Sequence, residues 1–158
     1  MTQRAFRQAA RVVVLDAEGD VLLVRYEELL DPTSARPQSY WVPPGGGLAH
    51  GESHRAAVAR ELEEETGLAP EIGPLLWERA CTYRFEGRFI NQHERFYLAR
   101  LDAVRPAVAN RTPEPIVEHR WWTVADVRRS SERFFPHNLG ELLGPVVRGK
   151  LPEEPLRI

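Results

Sequence analysis

Two short runs rich in valine and leucine stand near the start of the chain, at residues 11–15 and 21–26. The segment between them, residues 16–20, is a cluster of turn-forming residues. Branched apolar runs separated by such a cluster are typical of paired strands. The pattern predicts an antiparallel hairpin, then a loop over residues 27–39 and a short strand over residues 40–42.

A helical pattern covers residues 53–66. Ser53 is a favourable N-cap residue, and Gly67 suits the position just beyond the C-terminus of a helix. The alanine, leucine and glutamate residues between them favour a helix. The three glycines at residues 45–47 follow two prolines, and we expect them to form a loop that leads into this helix.

Extended and loop segments follow the helix. Residues 75–85 and 89–101 read as two long strands joined by a turn at Glu86 and Gly87. Residues 102–117 contain three prolines and predict a long loop, and loops of that length in a compact domain are often functional.

The last part of the chain predicts three short elements and a tail. The pattern favours a strand over residues 119–123 and helices over residues 124–129 and 139–148, with the proline-containing tail packed loosely on the surface. The order of strands, helix, strands and helix predicts a mixed α/β domain rather than a doubly wound parallel sheet.

Length and charge limit the classes of function. With 158 residues, of which 42% are hydrophobic, the chain fits a single domain spanning residues 1–158. Its formal net charge of −2 lacks the basic surface that duplex nucleic acid usually requires. A small anionic substrate is compatible with this charge, because a bound cation can supply the missing positive charge.

Cysteine usage and apolar runs indicate the compartment. Cys81 is the only cysteine in the sequence, so no intramolecular disulfide can form, which suits a reducing compartment. The first ten residues lack the apolar core of a signal peptide, and the apolar runs are too short to cross a bilayer. We therefore expect a cytoplasmic protein that does not bind membranes.

The predicted helix carries an unusual set of glutamates. Glu61, Glu64 and Glu65 are separated by steps of three and four residues, so they share about one quadrant of the helix surface. Like charges repel there, and a divalent cation would turn the repulsion into shared coordination. Hard oxygen ligands of this kind suit Mg²⁺ or Mn²⁺. The alternative is a solvated acidic face, which we expect for Glu63.

The residues around this set support a site. Glycines let a backbone approach a ligand closely, and Gly45–Gly47 lie just before the helix. Arg60 can reach Glu64 one turn further along or Glu52 across the loop. We expect Arg60 to hold the acidic residues in place rather than to take part in the chemistry.

Together these residues match a known signature. Gly46, Glu52 after five further residues, and then residues 60–68, RELEEETGL, after seven more resemble the complete Nudix box of the Nudix hydrolase superfamily. Every specified position of the box is matched. Residues 41–46, 93–100 and 118–123 also resemble segments of the family, so the resemblance covers roughly residues 12–127.

The resemblance implies a fold, a reaction and a set of roles. The fold would be an α/β/α sandwich with a central mixed β-sheet. The reaction would be hydrolysis of a nucleoside diphosphate linked to another group, with Mg²⁺ or Mn²⁺ as cofactor. The implied metal ligands are Glu61, Glu64, Glu65 and the carbonyl of Gly45, and the implied supports of the site are Gly46, Glu52 and Arg60.

The sequence leaves several candidates for the general base. Glu61 or Glu65 could serve from within the box, and family members also use a glutamate from a later strand or loop. The candidates outside the box are Glu94 and Glu118, with Glu114 behind them. Glu94 could also be a further metal ligand, and Glu118 could be a solvated carboxylate at the end of a strand.

Substrate selectivity is expected to lie outside the box, in residues 27–39 and 102–117. Arg25 and Arg84 are candidates for contacts with phosphates, and Tyr83 for stacking on a base. The open substrate classes are nucleoside triphosphates, dinucleoside polyphosphates and nucleotide sugars. The sequence around Tyr83 lacks the proline that ADP-ribose hydrolases of the family often carry. Because many members of the family are dimers, the resemblance is also compatible with a homodimer.

Two other functions remain to be compared. A Nudix-like domain could bind a nucleotide as a sensor without hydrolysing it, although such domains commonly lose box residues. Isopentenyl diphosphate isomerase resembles the same fold, but its chemistry uses a cysteine in its own motif, and the sequence around Cys81, CTYRFEG, does not resemble that motif.

Overall fold

A computed structural model describes residues 5–28, 33, 35–85 and 87–158. Within these ranges the chain forms eight strands and three helices. In chain order they are β1 Ala5–Leu15, β2 Val21–Glu28, β3 Gln38–Val42, β4 Gly45–Gly47, α1 His54–Thr66, β5 Leu75–Phe85, β6 Arg88–Arg100, β7 Glu118–Trp122, α2 Val124–Arg129, α3 Leu139–Val147 and β8 Leu156–Arg157. In the described part of the chain, no helix is long and apolar enough to cross a membrane.

The strands form one mixed sheet in the order β3-β2-β1-β6-β5-β8, with β4 paired to β1 and β7 paired to β2. The β1–β6 and β5–β8 pairs are parallel, and the other pairs are antiparallel. Both faces of the central strands are buried, which is why β1 contains four consecutive apolar residues instead of an alternating pattern.

Helices cover both faces of the sheet. On one face, Ala57, Val58 and Leu62 of α1 pack against the β1 side chains Val12 and Val14. On the other face, side chains of α2 and α3 pack against the strand residues that alternate with Val12 and Val14. The members of this second cluster include Val13, Leu98, Trp122, Val127, Leu139 and Leu143. The predicted α/β/α sandwich with a mixed sheet is confirmed.

The boundaries of α1 agree closely with the prediction. Ser53 is the N-cap residue and accepts a hydrogen bond from the Ala56 amide, and Gly67 ends the helix with a left-handed φ of 79°. The predicted strand over residues 119–123 lies one residue earlier, because Thr123 instead caps α2.

The predicted β1–β2 hairpin is confirmed only beside its turn, where Leu15 pairs with Val21. The start of β1 was predicted six residues too late. Apart from Phe6, residues 5–10 are polar or small, yet they pair in parallel with β6. A strand held between neighbours can extend beyond its apolar run, so hydrophobicity alone underestimated its length.

Two loop predictions and the prediction of a loosely packed tail were wrong. The glycines at residues 45–47 form β4, in which Gly45 pairs with Arg11. The loop predicted over residues 27–39 is shorter, because β2 continues to Glu28 and β3 begins at Gln38. Residues 29–32 and 34, and Glu86 of the predicted turn, lie outside the described residues. The tail is not loosely packed, since β8 adds a parallel strand to β5 and the Ile158 amide bonds to the Glu78 carbonyl at 3.0 Å.

Candidate active site

The glycine strand β4 brings the C-terminal half of α1 close to the sheet. A side chain at Gly45 would collide with the Ala10 carbonyl and lie 2.6 Å from the Arg11 Cα. A side chain at Gly46 would lie 2.7 Å from a carboxylate oxygen of Glu61. The glycines are therefore required by close packing, and they place the acidic face of α1 directly beside β1 and β4.

Glu65 is the most buried of the three box glutamates, with 1% of its surface exposed. One carboxylate oxygen accepts a hydrogen bond from the Gly45 amide at 3.0 Å, and the other accepts one from the Tyr26 hydroxyl at 3.3 Å. Burial raises the pKa of Glu65 to about 7, although Gly45, Arg11 and Tyr26 all favour the charged form. A neutral or metal-bound carboxylate suits this position better than a free anion.

Arg60 is the centre of the charge arrangement on α1. Its Nε and Nη2 atoms bond to the two carboxylate oxygens of Glu52 at 2.8 and 2.9 Å. Its Nη1 atom contacts Glu61 at 3.1 Å and Glu64 at 3.2 Å. Both contacts considered from the sequence, to Glu52 and to Glu64, therefore occur together. The bond from Arg60 lowers the pKa of Glu52 to about 2, and Glu52 also accepts the Ala49 amide at 3.0 Å.

The donor set matches the chemistry of a hard divalent cation. Glu61, Glu64 and Glu65 provide carboxylate oxygens on one helix quadrant, and burial raises the pKa of Glu61 despite Arg60. In residues 5–28, 33, 35–85 and 87–158, no three acidic, histidine or cysteine side chains converge as metal ligands. Arg60 supplies the positive charge to Glu61 and Glu64 instead. Rotation of the Glu61 and Glu64 side chains, which are 12% and 43% exposed, away from Arg60 would free their oxygens, so the residues fit Mg²⁺ or Mn²⁺ in type and placement.

A cavity of about 270 Å³ adjoins these carboxylates. Glu61 and Glu64 line it from α1, and Arg111 and Glu114 line it from the loop before β7. Main-chain hydrogen bonds fix this loop to the end of α1, from the Arg111 amide to the Glu64 carbonyl at 2.7 Å and from the Ala109 amide to the Thr66 carbonyl at 3.1 Å. The long loop therefore contributes to the site.

The two base candidates first considered outside the box have other partners. Glu118 bonds to Arg25 at 3.1 Å and to Arg120 at 2.9 Å. Because Arg25 is held by Glu118, two residues predicted to act on the substrate are paired with each other. Neither lines the cavity beside the box carboxylates.

Glu94 lies in a buried ion cluster, with 2% of its surface exposed. It bonds to Gln92 at 2.6 Å and to Arg79 at 3.2 Å, and it lies 3.6 Å from the Nε of Arg11. Burial alone would raise its pKa, but the two arginines outweigh burial and hold the pKa of Glu94 below its usual value. Its contacts are those of a charge that balances arginines.

Tyr83 and Arg84 are adjacent on β5 and therefore face opposite sides of the sheet. The Tyr83 hydroxyl accepts a bond from Arg7 at 3.1 Å and donates one to Gln92 at 3.1 Å. The Arg84 guanidinium lies 5.8 Å from the centre of the Phe89 ring. Neither residue lines the cavity beside the box carboxylates.

The sequence did not reveal two residues that contact this region. Arg11 donates to the Pro43 carbonyl at 3.1 Å, and its charge acts on both Glu94 and Glu65. A charged residue directly before a run of buried apolar residues is a signal that could have identified it. His119 lies 2.7 Å through Nε2 from the Glu65 carbonyl, a contact between distant segments that has no local signal.

A larger open groove of about 610 Å³ lies elsewhere, between the N-terminal end of α1 and β8. His54, Glu78 and His93 are among the residues that line it, and none of the box carboxylates does. Because the reaction needs grouped oxygen ligands beside a space for phosphate, the smaller cavity is the candidate site.

Comparisons with known proteins agree with this geometry. The family model described as NUDIX domain matches residues 5–142. An RNA pyrophosphohydrolase of Erythrobacter litoralis (strain HTCC2594) is 29% identical over 130 residues, which cover 73% of this chain and 75% of that protein. A second, from Roseobacter denitrificans (strain ATCC 33942 / OCh 114), is 25% identical over 134 residues, covering 77% and 79%.

A solved structure shows the same fold. The MutT protein of Methanosarcina mazei Go1 superposes with a TM-score of 0.63 at 16% identity, covering 94% of this chain and 98% of that one. The family match spans most of the chain and includes all of the box and the loop that lines the cavity. The chain therefore belongs to the NUDIX domain family, and the enzyme class predicted from its sequence, a Nudix hydrolase, is confirmed.

Proposed function

We propose that this protein is a hydrolase, dependent on Mg²⁺ or Mn²⁺, that cleaves the pyrophosphate linkage of a nucleoside diphosphate joined to another group. One observation carries the proposal. The box carboxylates Glu61 and Glu64, together with Glu114, line one cavity of about 270 Å³, and the buried Glu65 follows Glu64 on the same helix.

The roles of the side chains follow from their contacts. Glu61, Glu64, Glu65 and the Gly45 carbonyl would hold the metal, which supplies charge neutralisation to the phosphates and lowers the pKa of bound water. Gly46 gives room for the Glu61 carboxylate. Glu52 and Arg60 fix the loop against α1 through their paired hydrogen bonds.

In the chemical step, the oxygen of a water held by these carboxylates attacks one phosphorus of the linkage. The bridging P–O bond breaks, and its electron pair leaves with the departing phosphate. The proton of the water passes to a carboxylate. We assign this role to Glu114, because it lines the cavity together with Glu61 and Glu64, with Glu61 and Glu65 as the alternatives within the box.

The substrate is a small-molecule nucleotide or the 5′ end of an RNA. The two curated relatives are RNA pyrophosphohydrolases, which supports a test of 5′-triphosphorylated RNA beside the nucleotide classes. A sensor that binds without hydrolysis is supported less well. A solved Nudix domain of Shewanella oneidensis NrtR, in complex with ADP ribose, shares the fold with a TM-score of 0.62, but every box position is present in this chain.

The experiment is a substrate panel assayed with Mg²⁺ and with EDTA. It contains a nucleoside triphosphate, a dinucleoside tetraphosphate, a nucleotide sugar, ADP-ribose and a short 5′-triphosphorylated RNA. We expect hydrolysis of at least one class with Mg²⁺ and none with EDTA. Tight binding of a nucleotide with no turnover would support the sensor instead, and turnover that EDTA does not affect would contradict the metal site.

A further inference from the structure

Arg111 stands in an unusual electrostatic position. It lines the cavity together with the carboxylates of Glu61, Glu64 and Glu114. Its guanidinium nevertheless forms no hydrogen bond or ion pair with any residue in the described part of the chain. The other arginine of the cavity, Arg60, is fully engaged by Glu52, Glu61 and Glu64. Among the described residues that line the cavity, Arg111 is therefore the cation that is available to a ligand.

The backbone holds Arg111 in place. Its amide bonds to the Glu64 carbonyl at 2.7 Å. The Asn110 side chain accepts the Thr112 amide at 3.0 Å and donates to the Glu114 carbonyl at 2.9 Å, so the loop is stabilised internally. A side chain at Gly67 would lie 3.1 Å from the Arg111 guanidinium, which shows how closely that group packs on the end of α1.

The size and the lining of the cavity indicate the chemical class of its ligand. With about 270 Å³ the cavity lies just below the usual volume of small-molecule pockets, and the described residues that line it include no aromatic ring. Its lining is charged or polar apart from Pro113. A base would find no stacking surface there, whereas a phosphate would meet both a guanidinium and the metal-binding carboxylates. The cavity therefore suits the phosphate end of a substrate.

We propose that Arg111 binds a phosphate beyond the cleaved linkage and so favours nucleoside triphosphates and other polyphosphates over nucleotide sugars. The inference rests on the proposed function and narrows its substrate class. Guanidinium groups bind phosphate through paired, charge-assisted hydrogen bonds. A nucleotide sugar places an uncharged sugar where a polyphosphate places that further phosphate, so it gains nothing from Arg111.

The test compares Arg111→Ala and Arg111→Lys with the wild type and with a control, Arg88→Ala. Arg88 is an exposed arginine at the start of β6 that does not line the cavity. The readouts are kcat/KM on a nucleoside triphosphate and on a nucleotide sugar, and the melting temperature. A binding arm measures Kd in Mg²⁺ for a nucleoside triphosphate analogue with methylene groups at both bridging positions, and for the nucleoside monophosphate.

We expect Arg111→Ala to lower kcat/KM on the triphosphate and to raise Kd for its analogue, each by about 10- to 100-fold, the effect of one or two charge-assisted hydrogen bonds. The values for the nucleotide sugar and the monophosphate should change less than about threefold. Arg111→Lys should recover part of the loss, because it keeps the charge, and Arg88→Ala should match the wild type.

Equal losses on both substrate classes together with a lower melting temperature would overturn the inference, since Arg111 would then only stabilise the end of α1. A wild type that hydrolyses only nucleotide sugars would also overturn it, while the proposed hydrolysis would stand. If the wild type hydrolyses nothing but the analogue still needs Arg111 for binding, the proposed hydrolysis fails and the role of Arg111 stands.

Discussion

Single carboxylates differ sharply in what surrounds them. Glu114 lines the cavity, Glu118 pairs with Arg25 and Arg120, and Glu94 balances two partly buried arginines. The sequence offered all three as bases, because each is a glutamate in a later strand or loop. Their partners come from segments up to 93 residues away, so no local pattern could separate them.

Replacing these glutamates one at a time should therefore give three different results. Glu114→Gln should lower kcat about 100-fold without loss of stability, the usual effect of removing a general base. Glu118→Gln should change kcat less than about threefold. Glu94→Gln should mainly lower the free energy of unfolding, by about 3 kcal/mol, because it leaves two arginines without their counter-charge.

Steady-state kinetics and urea unfolding of the three variants measure these effects. If Glu114→Gln keeps the kcat of the wild type, the base lies in α1, at Glu61 or Glu65. If Glu118→Gln lowers kcat about 100-fold, as expected for the Glu114 variant, the base lies at the start of β7.

Glu65 should give the metal-free protein a distinct pH dependence. Its pKa is raised from 4.5 to about 7 by burial, so between these values the folded protein holds a proton that the unfolded chain has lost. The free energy of unfolding should therefore fall as pH rises through this window, by at most about 3 kcal/mol. Glu52, with its pKa lowered to about 2, acts in the opposite direction, but only below about pH 4.5.

Urea unfolding in EDTA at pH 5 and pH 8, for the wild type and for Glu65→Gln, measures this dependence. From pH 5 to pH 8, the unfolding free energy of the wild type should fall relative to that of Glu65→Gln, because glutamine does not titrate. An unchanged difference, or a shift in favour of the wild type at pH 8, would contradict a buried Glu65 with a raised pKa.

At the scale of elements, the site depends on how α1 meets β4. The sequence predicted α1 within one residue, because Ser53 and Gly67 are local caps whose preference needs no tertiary contact. It predicted a loop for the glycines, because three glycines after two prolines disfavour a strand in isolation. Pairing with β1 overrides that preference, and the absence of side chains is what allows the close approach.

A pair of glycine variants tests this packing. Gly45→Ala places a Cβ against the Ala10 carbonyl and the Arg11 Cα, so it should displace β4 from β1. Gly51→Ala is the control, because Gly51 also has a positive φ, of 74°, but no atom within 4 Å of the added carbon. Urea unfolding should show a loss for Gly45→Ala that exceeds the loss for the control by about 1–3 kcal/mol.

Hydrolytic activity should also differ between the Gly45→Ala and Gly51→Ala variants. Gly45→Ala should also lose most of its hydrolysis, because β4 carries the amide that bonds to Glu65. Gly51→Ala should remain active at temperatures where it is folded. Equal losses of stability in the two variants would show that the backbone conformation, and not the contact with β1, is what requires glycine at position 45.

At the scale of the whole molecule, the mixed sheet assembles the site from distant parts of the chain. The parallel pairing of β1 with β6 places Arg11 near Glu94, and the pairing of β2 with β7 places His119 near the end of α1. Apolar patterns identified most of these strands but not their partners, since pairing depends on packing across the entire fold. The layered α/β/α architecture was therefore predictable from the sequence, whereas the register between paired strands was not.

The central claim is that Glu61, Glu64 and Glu65 hold a divalent cation that hydrolysis requires. The most direct measurement is the initial hydrolysis rate of the best substrate from the panel, titrated with Mg²⁺, in the wild type and in the Glu64→Gln/Glu65→Gln double variant. We predict a saturable Mg²⁺ dependence in the wild type and a kcat lower by about 1000-fold or more in a folded double variant. A double variant that turns over at a rate close to that of the wild type would contradict the claim.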